Sequence, residues 1–240
     1  KDQLMRKNLF LSICMLCLAT VVSMQTACKA RERNVAQDEN RKRLELPAPQ
    51  TDGNTALEKV LEDRRSVRQF KNKPLELKDL SRLVWAAQGI TDKHMGKRAA
   101  PSAGALYPLQ IYIAVKKAQN LDAGVYHYLP QEHELERLST ATANKKLARA
   151  ALGQMFIAQA PVSLIITAEY SVTTSKYGKK GVRYVHMEAG HAAQNVYLQA
   201  EALGLGTVTV GAFVESKIKD LLNLPEEQTP LYIMPIGKPQ

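Results

Sequence analysis

Cysteine is nearly missing from this chain. The 240 residues hold three, Cys14, Cys17 and Cys28, all near the N-terminus. The long remainder can form neither a disulfide of its own nor a Cys-ligated metal centre, so whatever folds there stands on its hydrophobic core. Aromatic residues make up 6% of the sequence, with one tryptophan, and no basic-aromatic platform for stacking nucleic-acid bases is present. Walker A is absent. A G-x-G-x-x-G turn between a strand and a helix is absent too, because Gly204-Leu205-Gly206 lies after a helix and before a strand. There is no G-x-S-x-G, and Ser102 has no histidine close in sequence. His186 and His191 stand five apart in a helical stretch, about 140° out of register, with no carboxylate at ligand spacing, so no metal centre is expected. Acidic residues are outnumbered, 23 against 33 basic, for a net charge of +10 that suits anionic partners without naming one. With 45% hydrophobic and 23% charged residues, a collagen, a disordered tail and a many-pass membrane protein are excluded.

Residues 9–22 (LFLSICMLCLATVV) form an uninterrupted run of apolar and small residues directly after Arg6 and Lys7, the layout of a secretory signal. The run is shorter than the about 20 apolar residues a bilayer core requires. Small residues then precede Cys28, which resembles a bacterial lipoprotein signal, although Gln25 stands where a bulky aliphatic residue is usual. Residues 1–28 are therefore expected to be a signal peptide of lipoprotein type. It would export the chain to the periplasm or cell surface and anchor it through a lipid on Cys28. Residues 29–54 are charged, lack an apolar period and contain a Pro-Ala-Pro step, so a polar linker that does not pack is expected. The leader holds three cations and one anion, which leaves +8 on the rest.

From residue 55 to 240 helical and strand periods alternate. Leu57, Val60 and Leu61, then Leu77, Leu80, Leu83, Val84 and Ala87, recur at helical spacing, the second run ending at Gly89. Residues 109–115 and 124–129 are rich in β-branched and aromatic residues and read as strands, continued by 135–138. An Ala-rich helix follows at 144–152. Residues 161–168 (PVSLIITA) are apolar without interruption and predict a central strand buried on both faces. The longest helix is expected at 184–203, then a strand at 207–212, a helix at 214–222 and a last strand at 231–236. The whole is an α+β domain of about 186 residues, large enough to bury a core.

Four segments resemble, in order, the FMN-dependent nitroreductase family and within it the SagB or thiazole-oxidase-type branch. They are LEDRRSVRQF at 61–70, PSAGALYPL at 101–109, KYGKKGVRYVHMEAGHAAQNVYLQAEALGLGTVTVGAF at 176–213 and LLNLPEEQTPLYIMPIGKP at 221–239. The resemblance covers nearly all of residues 57–239. It implies a three-layer α-β-α sandwich with a mixed, mainly antiparallel sheet, assembled as a homodimer around FMN, with NAD(P)H as the usual reductant and a small-molecule substrate. An FMN phosphate carries about two negative charges and needs fixed cations and hydrogen-bond donors. By resemblance Arg64, Arg65 and Ser66 hold the phosphate and ribityl end, while Arg68 approaches the pyrimidine edge. The loop containing Pro101, Ser102, Ala103 and Gly104 lets backbone approach the flavin ring, and family members supply it from the second subunit. Val210 and Gly211 match the place where a backbone N–H faces flavin N5. Lys176 and Tyr177 resemble a pair near the flavin in the azoline-oxidising branch, where a base removes a proton as hydride leaves. His186, Glu188, His191, Gln194 and Asn195 fall on the long helix, where they are expected to satisfy one another.

Two departures from the family pattern stand out. Nitroreductases often place a basic residue beyond the last strand for the phosphate; that residue has no clear match here, and Lys238 is expected to substitute for it. The peptide-azoline oxidases usually carry an N-terminal peptide-binding domain, and residues 29–54 are too short and too polar to be one. The expected protein is therefore an exported FMN oxidoreductase, the alternatives being a SagB-type dehydrogenase of azoline or peptide-like substrates and a flavin-binding protein without turnover.

Overall fold

The computed structural model describes residues 42–240. The expected leader and most of the expected linker, with all three cysteines, lie outside the described residues. Among the described residues no helix is long and apolar enough to cross a membrane.

The domain is organised by a seven-stranded sheet. Its strands are β1 (Arg43–Glu45), β4 (Leu109–Val115), β5 (Gly124–Leu129), β6 (Glu134–Ser139), β7 (Val162–Glu169), β8 (Gly206–Thr207) and β9 (Gln228–Gly237), in spatial order β1-β6-β5-β4-β7-β9-β8. A separate hairpin joins β2 (Ile90–Asp92) to β3 (Lys97–Arg98). Side chains alternate across β4: Leu109, Ile111, Ile113 and Val115 enter one core, Tyr112 and Ala114 the other. β7 is covered on both faces, as its unbroken apolar run requires, with Leu164, Ile165 and Ile166 fully buried.

Helices cover each face. α2 (Leu77–Gln88) and α6 (Lys180–Ala202) close the first core, while α3 (Asn144–Ala150), α4 (Phe156–Gln159) and α7 (Glu215–Leu222) close the second. The result is the expected three-layer α-β-α arrangement. The sheet differs from the expected mixed one, since the pairings between its strands are all antiparallel and parallel contact comes only from isolated bridges among the described residues, Ser66 to Thr207 and Leu75 to Ala118.

Several local expectations are corrected. The expected linker packs at residues 43–46: β1 pairs with β6, Leu46 is 4% exposed, and its N–H donates to the His133 carbonyl. Leu44 and Leu46 occupy alternate strand positions, a pattern too short to stand out from the surrounding charges. The strand expected at 207–212 stops at Thr207. There the N–H of Thr209 turns to the Tyr197 hydroxyl (2.9 Å) instead of a neighbouring strand, and pairing resumes at Val210 with Ile233. Helix α5 (Tyr170–Tyr177) was not expected, because YSVTTSKY is rich in β-branched and hydroxyl residues of modest helix propensity. It ends at Gly178, whose φ of 55° accommodates the turn into α6.

Candidate functional site

Helix α1 (Leu57–Asp63) points its C-terminus at the first cluster. The segment leaving it runs beside β8: Ser66 bridges Thr207, and the Val67 N–H donates to the Thr207 carbonyl at 2.9 Å. At the centre stands the buried Tyr197 of α6. Its hydroxyl lies 3.2 Å from Ser66 Oγ and accepts the Thr209 N–H. The Arg64 guanidinium sits over the Tyr197 ring, 5.1 Å from its centroid. Burial pushes the Tyr197 phenol up, but the hydrogen bonds from Ser66 and Thr209 and the Arg64 charge outweigh it, so its pKa falls below the usual tyrosine value.

The four predicted anion-binding residues are not equivalent. Arg64 and Ser66 meet at Tyr197. Arg65 turns back instead, donating from Nη1 to the Glu62 and Arg64 carbonyls at 2.7 and 2.8 Å, and so caps the C-terminus of α1. Arg68 is exposed, its guanidinium 6.0 Å from the Phe156 ring centroid. Lys238 is anchored alongside, its carbonyl accepting the Lys71 N–H at 2.8 Å, and its side-chain charge acts on Asp79 of α2.

Val210 and Gly211 end this edge of the sheet. The Val210 N–H donates to the Ile233 carbonyl at 2.8 Å and is used up in that bridge. The Gly211 N–H makes no hydrogen bond among the described residues. Of the two predicted positions, Gly211 alone therefore offers a donor.

The second cluster lies farther back along α6. Loop 101–108 is a tight turn in which Gly104, Ala105 and Tyr107 all have positive φ, 65°, 53° and 53°. Pro101 is exposed and Ala103 half-buried, and both line a cavity of about 220 Å³ with Ser102, Tyr184, Met187, Glu188 and His191. A Cβ added at Gly104 would lie 2.7 Å from Tyr177 Oη and 3.0 Å from Lys176 Nζ, so the predicted pair does face the predicted loop. Lys176 is exposed, and the Tyr177 ring packs edge-on against Tyr184 at 5.3 Å.

Ser102 points inward. Its hydroxyl donates to Glu188 Oε2 at 2.6 Å and accepts the Tyr107 N–H at 2.9 Å. Glu188 is 2% exposed, and burial pushes its carboxyl up to about 7 against the opposing effects of Ser102 and the Arg98 charge. Arg98 completes the surroundings: its guanidinium donates to Gln88 Oε1 at 2.9 Å and stacks on Tyr107 at 4.8 Å. The polar residues of α6 do not satisfy one another as expected, since His186 pairs with Tyr170, Glu188 with Ser102, and Asn195 with the Ala86 carbonyl.

Tyr197 and Glu188 are nine residues apart on α6, about 14 Å along the axis and half a turn around it. The two clusters of one chain thus occupy opposite sides of the same helix.

Tyr197 and Arg98 were not singled out from sequence, and Glu188 was named only as one of the polar residues of the long helix expected to satisfy one another. Tyr197 reads there as one more apolar position of a helical stripe, and Arg98 carries no motif. A buried glutamate one turn from the small residues of α6 is the signal that could have flagged Glu188.

The α-β-α sandwich and its cationic Arg-Arg-Ser turn suit an oxidoreductase that holds an anionic cofactor. The chain belongs to the nitroreductase family, whose model matches residues 61–238. It is 51% identical over 182 residues to the candidate nitroreductase MJ1384 of Methanocaldococcus jannaschii, covering 76% of this chain and 90% of that one. It is 29% identical over 174 residues to the microcin B17-processing protein McbC of Escherichia coli, covering 70% and 63% of the two chains. Among solved structures, a nitroreductase-type protein of Ralstonia eutropha JMP134 superimposes with a TM-score of 0.74 at 30% identity, covering 82% of this chain and 90% of that one.

Proposed function

We propose that the protein is a homodimeric FMN oxidoreductase moving a hydride between a reduced donor such as NAD(P)H and a small organic acceptor. The observation that carries this reading is the division of the predicted flavin residues between opposite sides of α6. One chain offers an anion-binding half, with Arg64 and Ser66 at Tyr197 and the exposed Arg68 two residues on, and separately a ring-approaching half at Gly104. Two copies would bring unlike halves together.

The residues fit the cofactor. Arg64 and Arg68 are cations not engaged by a carboxylate among the described residues, suited to a phosphate. The Gly211 N–H is a donor awaiting an acceptor, and Gly104 has no side chain to hold a planar ring away. When bound, FMN supplies the redox chemistry, which leaves the protein to bind, orient and tune it. Ser66 and Tyr197 orient the ribityl end. The Gly211 N–H and the surrounding positive charge stabilise negative charge developing on the ring.

A second reading is a dehydrogenase of azoline or peptide-like substrates. It is favoured by Lys176 and Tyr177, which stand together against Gly104, and by the likeness to McbC, a microcin-processing protein. In that reading Lys176 removes a proton from the substrate, with Tyr177 beside it. Export and lipid attachment at Cys28 remain proposals from the leader sequence.

The test is to purify residues 29–240 without added flavin, record the visible spectrum and identify any released chromophore by mass. FMN in the protein and steady NAD(P)H oxidation with a quinone or nitroarene are expected. A colourless protein that takes up no FMN would overturn the reading, and FMN without turnover would leave a flavin-binding protein.

A further inference from the structure

The buried carboxyl of Glu188 has no part in the chemistry proposed above. It sits inside α6 at 2% exposure, Oε2 holding the Ser102 hydroxyl and Oε1 without a partner among the described residues. Burying a carboxyl without full pairing is costly, and such groups persist where they hold something else in place. Here that something is a loop. Ser102 Oγ also receives the Tyr107 N–H, so one hydroxyl closes the turn around Gly104, Ala105 and Tyr107, three residues in the left-handed region. Ala and Tyr pay for that conformation unless surrounding contacts impose it. The opposite side of the turn carries Gly104 against Lys176 and Tyr177.

We propose that Glu188 is a positioning residue: through Ser102 it holds loop 101–108 in its strained form and so sets the approach of Gly104 to the flavin and to the Lys176–Tyr177 pair. This rests on the reading of the loop as part of a flavin site. Glu188 touches no reacting atom and acts through Ser102 alone. Its carboxyl changes charge close to neutral pH, and a carboxylate grips the Ser102 hydroxyl harder than a carboxylic acid does. The loop is therefore held more firmly above pH 7 than below it. The other charged or titratable groups around Glu188 are Arg98 at the end of β3, and Tyr184 and His191 on α6 itself, one turn to either side. Arg98 stays charged throughout, and a substitution at His191, which lines the same cavity, is the control.

The experiment follows deuterium uptake of the 101–108 peptide between pH 5.5 and 8.5, corrected for intrinsic exchange, in the flavin-free full chain. Protection is expected to rise roughly tenfold across a midpoint near 7. Glu188→Gln, close in shape but unable to ionise, should abolish the midpoint, as should Ser102→Ala, while His191→Gln should leave it in place. In protein reconstituted with FMN, the same midpoint should appear in kcat/KM, with Glu188→Gln about tenfold below wild type at pH 8 and its melting temperature little changed. A flat profile in the wild type, or a midpoint that survives Glu188→Gln or vanishes with His191→Gln, overturns the proposal. A loop that titrates as expected in a protein that binds no FMN would instead sink the flavin reading and leave Glu188 as the latch of the loop.

Discussion

The Thr209 N–H donates to the Tyr197 hydroxyl at 2.9 Å, and this bond interrupts the sheet beside Val210 and Gly211. Tyr197→Phe leaves that N–H without its partner, and Ser66 loses its contact as well. A loss of about 1–3 kcal/mol in chemical denaturation is expected, the cost of an unsatisfied buried donor. FMN affinity measured by fluorescence quenching should fall with it, because both Ser66 and the Gly211 turn are set by this hydroxyl.

Arg64 and Arg65 are neighbours with different work. Arg64→Ala removes a cation poised over Tyr197 and should weaken FMN binding by about tenfold to a hundredfold, more at low salt than at high. Arg65→Ala removes the cap on the Glu62 and Arg64 carbonyls and should lower the melting temperature, with a smaller effect on affinity. Flavin titrations and melting curves on the two variants check this division; equal affinity losses would contradict it.

Lys176→Ala should lower turnover of an azoline-like substrate by about a hundredfold or more while FMN remains bound. If NAD(P)H-dependent reduction of a nitroarene is unaffected in the same variant, Lys176 serves the dehydrogenase direction specifically. Full activity in both assays removes it from the chemistry.

Gly104→Ala probes the contact between the two halves of the second cluster. Its φ of 65° is unfavourable for alanine, and the new methyl would meet Tyr177 Oη at 2.7 Å. A stability loss of about 1 kcal/mol is expected from the backbone, and a larger fall in activity from the displaced pair, read by kinetics and melting curves together.

His133 supplies a pH dependence of stability. Its ring joins Ser81 Oγ at 2.8 Å through Nε2 and the Tyr128 hydroxyl at 2.8 Å through Nδ1, and Ser81 donates to the Pro47 carbonyl. Burial holds the His133 pKa below its ordinary value, partly offset by the Pro47 carbonyl. The unfolded chain therefore takes up the proton first as pH falls, so this contribution is intact above the ordinary histidine value of about 6.5 and is lost progressively below it, until the folded-state pKa is reached. Wild type should lose stability between pH 7 and 5 more steeply than His133→Asn.

The strands at the middle of the sheet were legible because their pattern is local. β4 and β7 announce themselves by alternation and by an unbroken apolar run. Tyr197 was not legible as a site residue, since its hydroxyl meets Ser66 131 residues away in sequence. Helical periodicity tells which face of α6 is buried, not what a hydroxyl on that face will meet. The same holds for Glu188 and Ser102, 86 residues apart. β1 failed for the opposite reason: two leucines are too few to make a period.

The pairing of β1 with β6 has a practical consequence for handling the protein. A strand of three residues, with Leu46 behind it, is what shields the outer edge of β6. A truncation begun at residue 55, where the charged stretch ends, would strip that cover and leave β6 a bare row of amide and carbonyl groups. Such an edge recruits strands from other molecules. The shortened protein would then be prone to sticking to itself with its candidate site residues all in place, and a precipitate would be mistaken for a failure of the fold.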